Sequence, residues 1–271
     1  MLKLNELRSV LREYDIRPSK RLGQNFLIDQ NIKNKIMHSI ALDKEDIVLE
    51  IGPGLGALTE DLVKKSKEVI AVEKDKRLHD YLSRGKGLNL INGDILNYEF
   101  KAISRKLVVV GNLPYSISSP ILNKLIDNRD YVKVLYATVQ MEFGERLAAA
   151  PGTKDYGSLS CYAQFYGDAK ILFKIPRGAF FPVPEVDSCF LKIDFGKRLD
   201  ESIDQKLLFK LIRSSFEKRR KTILNSLASS GIFKSKEETF DYLSKARISP
   251  DRRPETISLQ EFIFLSRQTV V

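Results

Sequence analysis

The chain has 271 residues, enough for one large domain and a smaller one, and 43% of its residues are hydrophobic. Lysine and arginine outnumber aspartate and glutamate by 45 to 35, so the formal charge is +10 and a polyanionic partner is favoured. No apolar run approaches ~20 residues and the N-terminus lacks an apolar signal core, so we expect no membrane span and a cytoplasmic location. Two distant cysteines, Cys161 and Cys189, argue against a disulfide framework or a structural zinc site, and no metal is expected.

The first 40 residues predict two helices. Leu4, Leu7, Val10 and Leu11 have helical spacing, and Pro18 ends that helix. A second helix is predicted through Ile32, Ile36 and Ile40. The N-terminal arm carries basic side chains that are candidates for phosphate contacts, although a solvated helix face is the alternative. These side chains are Arg12, Arg17, Lys20 and Arg21.

The stretch from Glu50 to Thr59, Glu-Ile-Gly-Pro-Gly-Leu-Gly-Ala-Leu-Thr, predicts a strand, a glycine-rich turn and the start of a helix. Glycines at 52 and 54 let the backbone pass close to a ligand, and the acidic Glu73 follows about 20 residues later, after a second apolar run. This pattern indicates a nucleoside cofactor without saying which one. A turn needed only for close packing is the alternative.

Further strands are predicted over 69–73, 88–91, 107–110 and 132–139, with a helix from about Ile117 to Ile126. Strands that alternate with helices indicate an α/β fold with a doubly wound, mainly parallel sheet. Ligands of such sheets gather beyond the carboxyl ends of the strands. The polar residues at those ends are Glu50, Gly52, Glu73, Asp94 and Asn112.

The C-terminal half changes character near Phe195. A loop with helix breakers spans 148–158, and two strands are then predicted around 162–173 and 188–195, as a hairpin at the sheet edge. After Gly196 the patterns are helical. We therefore expect a cofactor-binding domain over residues 1–195 and a small helical domain over residues 196–271, whose basic run Lys218, Arg219, Arg220 and Lys221 is a candidate for phosphate contacts.

Two acidic residues are candidates for holding a nucleoside. Glu73, at the end of a strand, can accept hydrogen bonds from both ribose hydroxyls. Asp94, within Asn92-Gly-Asp94, can accept a hydrogen bond from an adenine amino group. For Glu73 the alternative is an acidic residue that opens a turn, and for Asp94 it is a helix cap or an Asx turn.

The most specific motif is Asn112-Leu113-Pro114-Tyr115, which directly follows a predicted strand. Asn112 supplies a side-chain carbonyl, Pro114 fixes the turn and Tyr115 offers a ring face. Together they suit a planar base that carries an exocyclic amino group. Phe180, in Phe180-Phe-Pro-Val-Pro184, could supply a second aromatic face, or it could be an ordinary core residue.

With these motifs the chain resembles the KsgA-type rRNA adenine N6,N6-dimethyltransferases, a class I S-adenosylmethionine-dependent family. Besides the motifs above, the resemblance rests on three further stretches, Gly23-Gln-Asn-Phe-Leu27, Tyr156-Gly-Ser-Leu-Ser160 and Phe216-Glu-Lys-Arg-Arg-Lys-Thr222. It implies that S-adenosylmethionine is held by Asn25, Leu27, Gly52, Glu73, Asp94 and Asn112, with Gly54 in the same turn. It also implies that the Asn112–Tyr115 motif and the Phe180 position hold the target adenine. The doublet Phe180-Phe181 leaves open which of the two rings stacks, and we favour Phe180.

The implied substrate is a pair of adjacent adenines in a loop near the 3′ end of 16S rRNA, each methylated twice within an assembling small ribosomal subunit by a monomeric enzyme. Three alternatives remain at this point. They are the related macrolide-resistance methyltransferases, which modify 23S rRNA, a non-catalytic rRNA-binding assembly factor, and an NAD-dependent dehydrogenase that would leave Asn112 to Tyr115 unexplained.

Overall fold

The structure, a computed structural model, describes residues 1–19, 22–85, 87–100, 105–196, 200, 202–218 and 220–268. It divides into two compact units, one formed by Met1–Gly144 and Lys170–Gly196, the other by Glu145–Ala169 and Lys197–Val271. The single boundary expected near Phe195 differs from this division, because Glu145–Ala169 belongs to the second unit. Local sequence patterns do not show which core a helix packs against. The roles assigned to the two domains remain predictions.

The described residues contain eleven α-helices and nine β-strands. In chain order these are α1 Leu4–Glu13, β1 Phe26–Leu27, α2 Gln30–Ser39, β2 Ile47–Ile51, α3 Thr59–Lys65, β3 Glu68–Glu73, α4 Lys76–Leu82, β4 Asn89–Asn92, β5 Leu107–Asn112, α5 Ser118–Asp127, β6 Val132–Gln140, α6 Met141–Ala148, α7 Ser158–Tyr166, β7 Asp168–Ile175, β8 Phe180–Phe181, β9 Ser188–Asp194, α8 Gln205–Phe216, α9 Ile223–Ala228, α10 Lys236–Lys245 and α11 Leu259–Ser266. Short 3₁₀ turns cover Ile95–Asn97, Tyr115–Ile117, Arg177–Ala179 and Pro254–Thr256.

The first unit contains a seven-stranded sheet in the order β4-β3-β2-β5-β6-β9-β7. The pairs β3–β4, β2–β3, β2–β5 and β5–β6 are parallel, whereas β9 runs antiparallel to β6. The late strands β9 and β7 extend one edge, as expected. The predicted α/β fold with a mainly parallel sheet is confirmed. A separate two-stranded sheet pairs β1 with β8, so that Leu27 faces Phe180 and Phe26 faces Phe181.

The central strands are apolar because both faces of the sheet are covered. All five residues of β2 are buried, and Val108, Val109 and Val110 of β5 have no exposed surface. The parallel register brings the carboxyl ends together, with Ile51 opposite Val72 and Gly111, and Glu73 opposite Asn92. The polar residues that end these strands therefore meet at one edge of the sheet.

The strand predicted around 162–173 is wrong in its first half, because Ser158–Tyr166 forms α7. Its aromatic residues favour strands, but they also have helical spacing, and Tyr162 contacts Tyr166 edge to face at 5.2 Å. Ser160 supports the helix start by accepting a hydrogen bond from the Gly157 amide through its Oγ, at 3.0 Å. Packing on one face of α7 decides the helix, since Cys161 and Phe165 are buried.

The second unit is helical in its described part, as expected after Gly196. Leu208, Leu211 and Ile212 of α8 are fully buried, and Phe209 contacts Phe165 and Tyr166 of α7. Among the described residues of the chain, no helix has the length and apolar character needed to cross a membrane.

Candidate functional site

A cavity of about 170 Å³ opens in the first unit beyond the carboxyl ends of β2, β3 and β5. Its lining includes most of the site residues predicted from the sequence. These are Asn25, Leu27, Gly52, Gly54, Glu73, Asp94, Asn112, Pro114 and Phe180. Leu113 and Tyr115 lie next to the lining residues in the chain. The lining also contains Glu50, Lys74 and Thr138, which were not in the predicted set of site residues.

The glycine turn forms one wall of the cavity. Gly52 has a positive φ of +63°, and no atom lies within 4 Å of where a Cβ would be. Gly54 also has a positive φ, of +61°, and its Cβ position lies 3.3 Å from the ring of Phe26. The turn therefore presents bare backbone to the cavity at Gly52, and is closely packed at Gly54.

Glu73 is held in place at the end of β3. Its Oε1 accepts a hydrogen bond from the Asp75 amide at 2.9 Å, and its Oε2 accepts one from the Gly54 amide at 3.1 Å. Burial raises the pKa of the Glu73 carboxyl above its ordinary value. The carboxylate ties β3 to the glycine turn and still borders the cavity, where each oxygen retains a second lone pair.

Glu50 was named among the polar residues at the strand ends but was given no role in the predicted site. It is only 3% exposed, borders the cavity, and its Oε2 has no hydrogen-bond partner among the described residues. Burial, together with the nearby Glu73 carboxyl, raises the pKa of Glu50 to about 7. The signal in the sequence is an acidic residue inside an otherwise apolar strand, since such a group is costly to bury without a partner.

The Asp94 carboxylate makes a hydrogen bond to one residue and an ion pair with another. Its Oδ1 accepts a hydrogen bond from the Leu96 amide at 2.9 Å, and its Oδ2 lies 2.7 Å from the Nζ of Lys74. The Lys74 ammonium holds the pKa of Asp94 below its ordinary value. Asp94 thus caps the 3₁₀ turn Ile95–Asn97, as its simpler interpretation predicts, and also lines the cavity.

Asn112 ends β5 with a defined side-chain orientation. Its Nδ2 donates to the Asn25 carbonyl at 2.7 Å, which directs the amide nitrogen toward the segment before β1. The Oδ1 is then the atom of this amide left to accept a hydrogen bond from a ligand. Gly23 packs against the same motif, because a Cβ there would lie 2.9 Å from the Cβ of Pro114.

The carbonyls that follow Asn112 are not equivalent. Pro114 O accepts hydrogen bonds from the Ile117 amide at 3.1 Å and from the Ser118 hydroxyl at 3.0 Å, which use both of its lone pairs. Leu113 is fixed by its own amide, which donates to Thr138 O at 3.0 Å. The Leu113 carbonyl is therefore a better acceptor for a ligand than the Pro114 carbonyl.

The two rings of the doublet Phe180-Phe181 lie on opposite sides of β8. Phe180 borders the cavity and is 1% exposed, in the core cluster with Leu27 and Ile36. Phe181 instead packs with the residues around α1, and the Arg8 guanidinium lies 5.4 Å from its ring centre. Of the two rings, Phe180 faces the cavity.

The predicted basic residues lie in both units. Arg17 is in the first unit, with a side chain 89% exposed, and Lys218, Arg220 and Lys221 are exposed between α8 and α9 of the second. Lys20, Arg21 and Arg219 lie outside the described residues. Among the described residues, no group of three or more His, Cys, Asp or Glu side chains could hold a metal ion.

A family model described as ribosomal RNA adenine dimethylase matches residues 17–265 of this chain. The chain belongs to the ribosomal RNA adenine dimethylase family. Two relatives named ribosomal RNA small subunit methyltransferase A are similar over nearly the full length. The one from Shouchella clausii (strain KSM-K16) is 41% identical over 95% of this chain and 92% of its own. The one from Bacillus mycoides (strain KBAB4) is 38% identical over 98% and 96%.

One solved structure agrees with membership in the ribosomal RNA adenine dimethylase family, and a second agrees with the fold. A dimethyladenosine transferase from Plasmodium falciparum has a TM-score of 0.77 and 26% identity, over 89% of this chain and 95% of its own. The 23S rRNA methyltransferase ErmE has a TM-score of 0.70 and 24% identity, over 89% and 98%, and so shows the fold alone. The class I methyltransferase fold and the adenine dimethylase activity are confirmed, and the dehydrogenase alternative is set aside.

Proposed function

We propose that this dimethylase transfers methyl groups from S-adenosylmethionine to the N6 atoms of two adjacent adenines near the 3′ end of 16S rRNA, in an assembling small ribosomal subunit. We propose further that it works in the cytoplasm as a monomer. The observation that carries the chemistry is the Asn112 to Tyr115 turn, since Asn112 and Pro114 line the cavity that suits the cofactor and the Asn112 amide donates through its nitrogen to Asn25 O, which leaves its oxygen to accept from a ligand. The small subunit is favoured over the large one by the names of the two relatives.

The open space and the hydrogen-bond acceptors that line the cavity suit S-adenosylmethionine. Gly52 leaves open space beside the backbone, Glu73 offers acceptors for ribose hydroxyls, and Asp94 offers one for an adenine amino group. The Glu50 carboxyl, whose Oε2 has no hydrogen-bond partner among the described residues, suits a cationic end of the ligand. When bound, S-adenosylmethionine supplies an activated methyl group on a positively charged sulfur. Asn25, Leu27 and Gly54 would complete its surroundings.

The protein's contribution to methyl transfer is orientation. The amino nitrogen of adenine is a poor nucleophile, because its lone pair is delocalised into the ring. Asn112 Oδ1 and the Leu113 carbonyl would accept hydrogen bonds from this amino group, align its lone pair and stabilise the positive charge that develops there. No strong base is required for this step.

Aromatic rings would hold the base outside its stack. Tyr115 and Phe180 would contact its two faces, and stacking of this kind contributes ~1–3 kcal/mol per base. This offsets part of the few kcal/mol that unstacking costs. Arginine and lysine side chains predicted from the sequence would contact phosphates and position the RNA without reading its sequence. They are Arg17, Lys20, Arg21, Lys218, Arg219, Arg220 and Lys221.

The test uses small ribosomal subunits that lack base methylation, isotope-labelled S-adenosylmethionine and three proteins, namely wild type, Asn112→Ala and Asn34→Ala. Asn34 is an exposed asparagine of α2 outside the cavity lining, so its variant is the matched control. Mass spectrometry of digested 16S rRNA should show dimethyladenosine at two neighbouring positions with wild type and Asn34→Ala. Asn112→Ala should be slower by about 100-fold or more.

Two results would contradict the proposal. Modification of 23S rRNA in place of 16S rRNA would assign the enzyme to the resistance-type methyltransferases. Tight RNA binding without methylation of either rRNA would favour a non-catalytic assembly factor. A thermal melt of each variant excludes misfolding as the cause of a lost signal.

A further inference from the structure

Tyr115 makes one strong polar contact, and it is with a residue far away in the chain. Its hydroxyl lies 2.7 Å from the Oγ of Ser188, which begins β9 and is fully buried. The contact joins the turn after β5 to the antiparallel edge of the sheet. Burial raises the pKa of the Tyr115 hydroxyl, so this group remains a neutral hydrogen-bonding partner at physiological pH.

Ser188 is held by a rigid part of the first unit. It is paired with Gln140 of β6, and the preceding residue, Asp187, accepts a hydrogen bond from the Met141 amide at 3.0 Å. The Asp187 carboxylate in turn accepts from the Arg177 amide and pairs with Lys174 at 2.7 Å. On the other side, Cys189 packs so closely on Gly144 that a Cβ there would lie 2.3 Å from its sulfur.

Tyr115 has fewer constraints of its own. It begins a three-residue 3₁₀ turn and is only partly buried, so its ring is not enclosed on all sides by core packing. A tyrosine ring that is free to rotate would lose its orientation toward a neighbouring base, because its χ torsions have several accessible minima. One hydrogen bond at the far end of the ring removes this freedom.

We propose that Ser188 is a positioning residue for methyl transfer, since its hydroxyl holds the Tyr115 ring in the orientation that stacks on the target adenine. This inference rests on the proposed function, and in particular on the assignment of Tyr115 to the base. Ser188 itself is not among the described residues that line the cofactor cavity. Its effect should therefore be on the rate of the chemical step and not on cofactor affinity.

The test is a double-mutant cycle of Ser188→Ala and Tyr115→Phe, measured by methylation of unmethylated small subunits. Each single variant should lower kcat by about tenfold, with the KM for subunits and the Kd for S-adenosylhomocysteine nearly unchanged. The double variant should be no slower than either single one, because both remove the same hydrogen bond. Matched controls are Ser66→Ala, which deletes a buried hydroxyl bonded to Leu62 O at 2.7 Å, and Tyr136→Phe.

Three outcomes overturn the inference. They are wild-type kcat in Ser188→Ala, additive losses in the double variant, and a loss that appears in cofactor affinity instead of kcat. If Ser188→Ala does not fold, Tyr115→Phe decides alone, since it keeps the ring, and a wild-type kcat would reject the role of the hydrogen bond. Failure of wild type to methylate small subunits is a different result, because it rejects the proposed function first and the inference with it.

Discussion

Glu50 shows how a single side chain links stability to the function of the cavity. Burial of this carboxyl, whose Oε2 has no hydrogen-bond partner in the described part of the chain, favours the protonated form and raises its pKa from the ordinary 4.5 to about 7. The folded state therefore binds a proton that the unfolded state has released at pH values between these two. This group makes folding less favourable as the pH rises from 4.5 to 7, and its effect is constant above that.

We predict that Glu50→Gln removes the pH dependence of folding stability that the Glu50 carboxyl causes. The free energy of unfolding of the variant should exceed that of wild type by a margin that grows between pH 5 and pH 8, reaching about 3 kcal/mol. Urea denaturation at several pH values measures it, with Glu45→Gln, an exposed carboxyl, as the control. The variant should also bind S-adenosylhomocysteine, which carries an ammonium group, more weakly than wild type. A margin that shrinks with pH would show that folding lowers the pKa of Glu50 instead of raising it.

At the scale of elements, the strand–turn–helix from β2 to α3 combines a left-handed glycine conformation with open space. Gly52 adopts a left-handed conformation, and nothing in the protein occupies the position of its missing Cβ. Gly152, in the loop of the second unit before α7, has the same two properties, with a φ of +84°. The two glycines differ in that only Gly52 borders the cavity.

We predict that Gly52→Ala and Gly152→Ala each destabilise the protein by about 1–2 kcal/mol, because an L residue is strained at these φ values. Only Gly52→Ala should lose affinity for S-adenosylhomocysteine, by about tenfold or more, since its methyl group enters the space for the ligand. Calorimetric titration beside thermal melts separates the two effects. Equal affinity in both variants would mean that the glycine turn serves packing alone.

At the scale of the whole molecule, the net charge of +10 favours association with RNA at low salt, and the attraction weakens as salt is added. Lys218, Arg220 and Lys221 form an exposed basic segment in the second unit. Lys234, Lys236 and Lys245 are equally exposed, in and beside α10 of that unit. The two sets carry the same charge, so they distinguish a localised RNA contact from general basicity.

We predict that replacing Lys218, Arg220 and Lys221 by alanine lowers the slope of log affinity against log salt by about 2–3, because each phosphate contact contributes roughly 0.7–0.9. Filter binding to 16S rRNA between 50 and 300 mM salt, about the range where such effects are large, measures it. The variant with alanine at 234, 236 and 245 should keep the wild-type slope. An equal loss in both variants would indicate attraction by net charge only.

The sequence by itself determined the sheet, the edge at which its polar residues meet, and the family. Apolar runs separated by helical patterns specify parallel strands, and the polar residues that end them must meet because parallel register aligns those ends. Glu73, Asp94 and Asn112 could be chosen in this way, without coordinates. Tertiary structure decided what depends on contacts between distant segments. It shows that the Pro114 carbonyl accepts two hydrogen bonds, that Phe180 rather than Phe181 borders the cavity, and that Ser188 is hydrogen-bonded to Tyr115. Residues 158–166 form a helix of the second unit. The aromatic residues in this segment allow both a helical and a strand period, and packing, which local propensity does not encode, decides between the two.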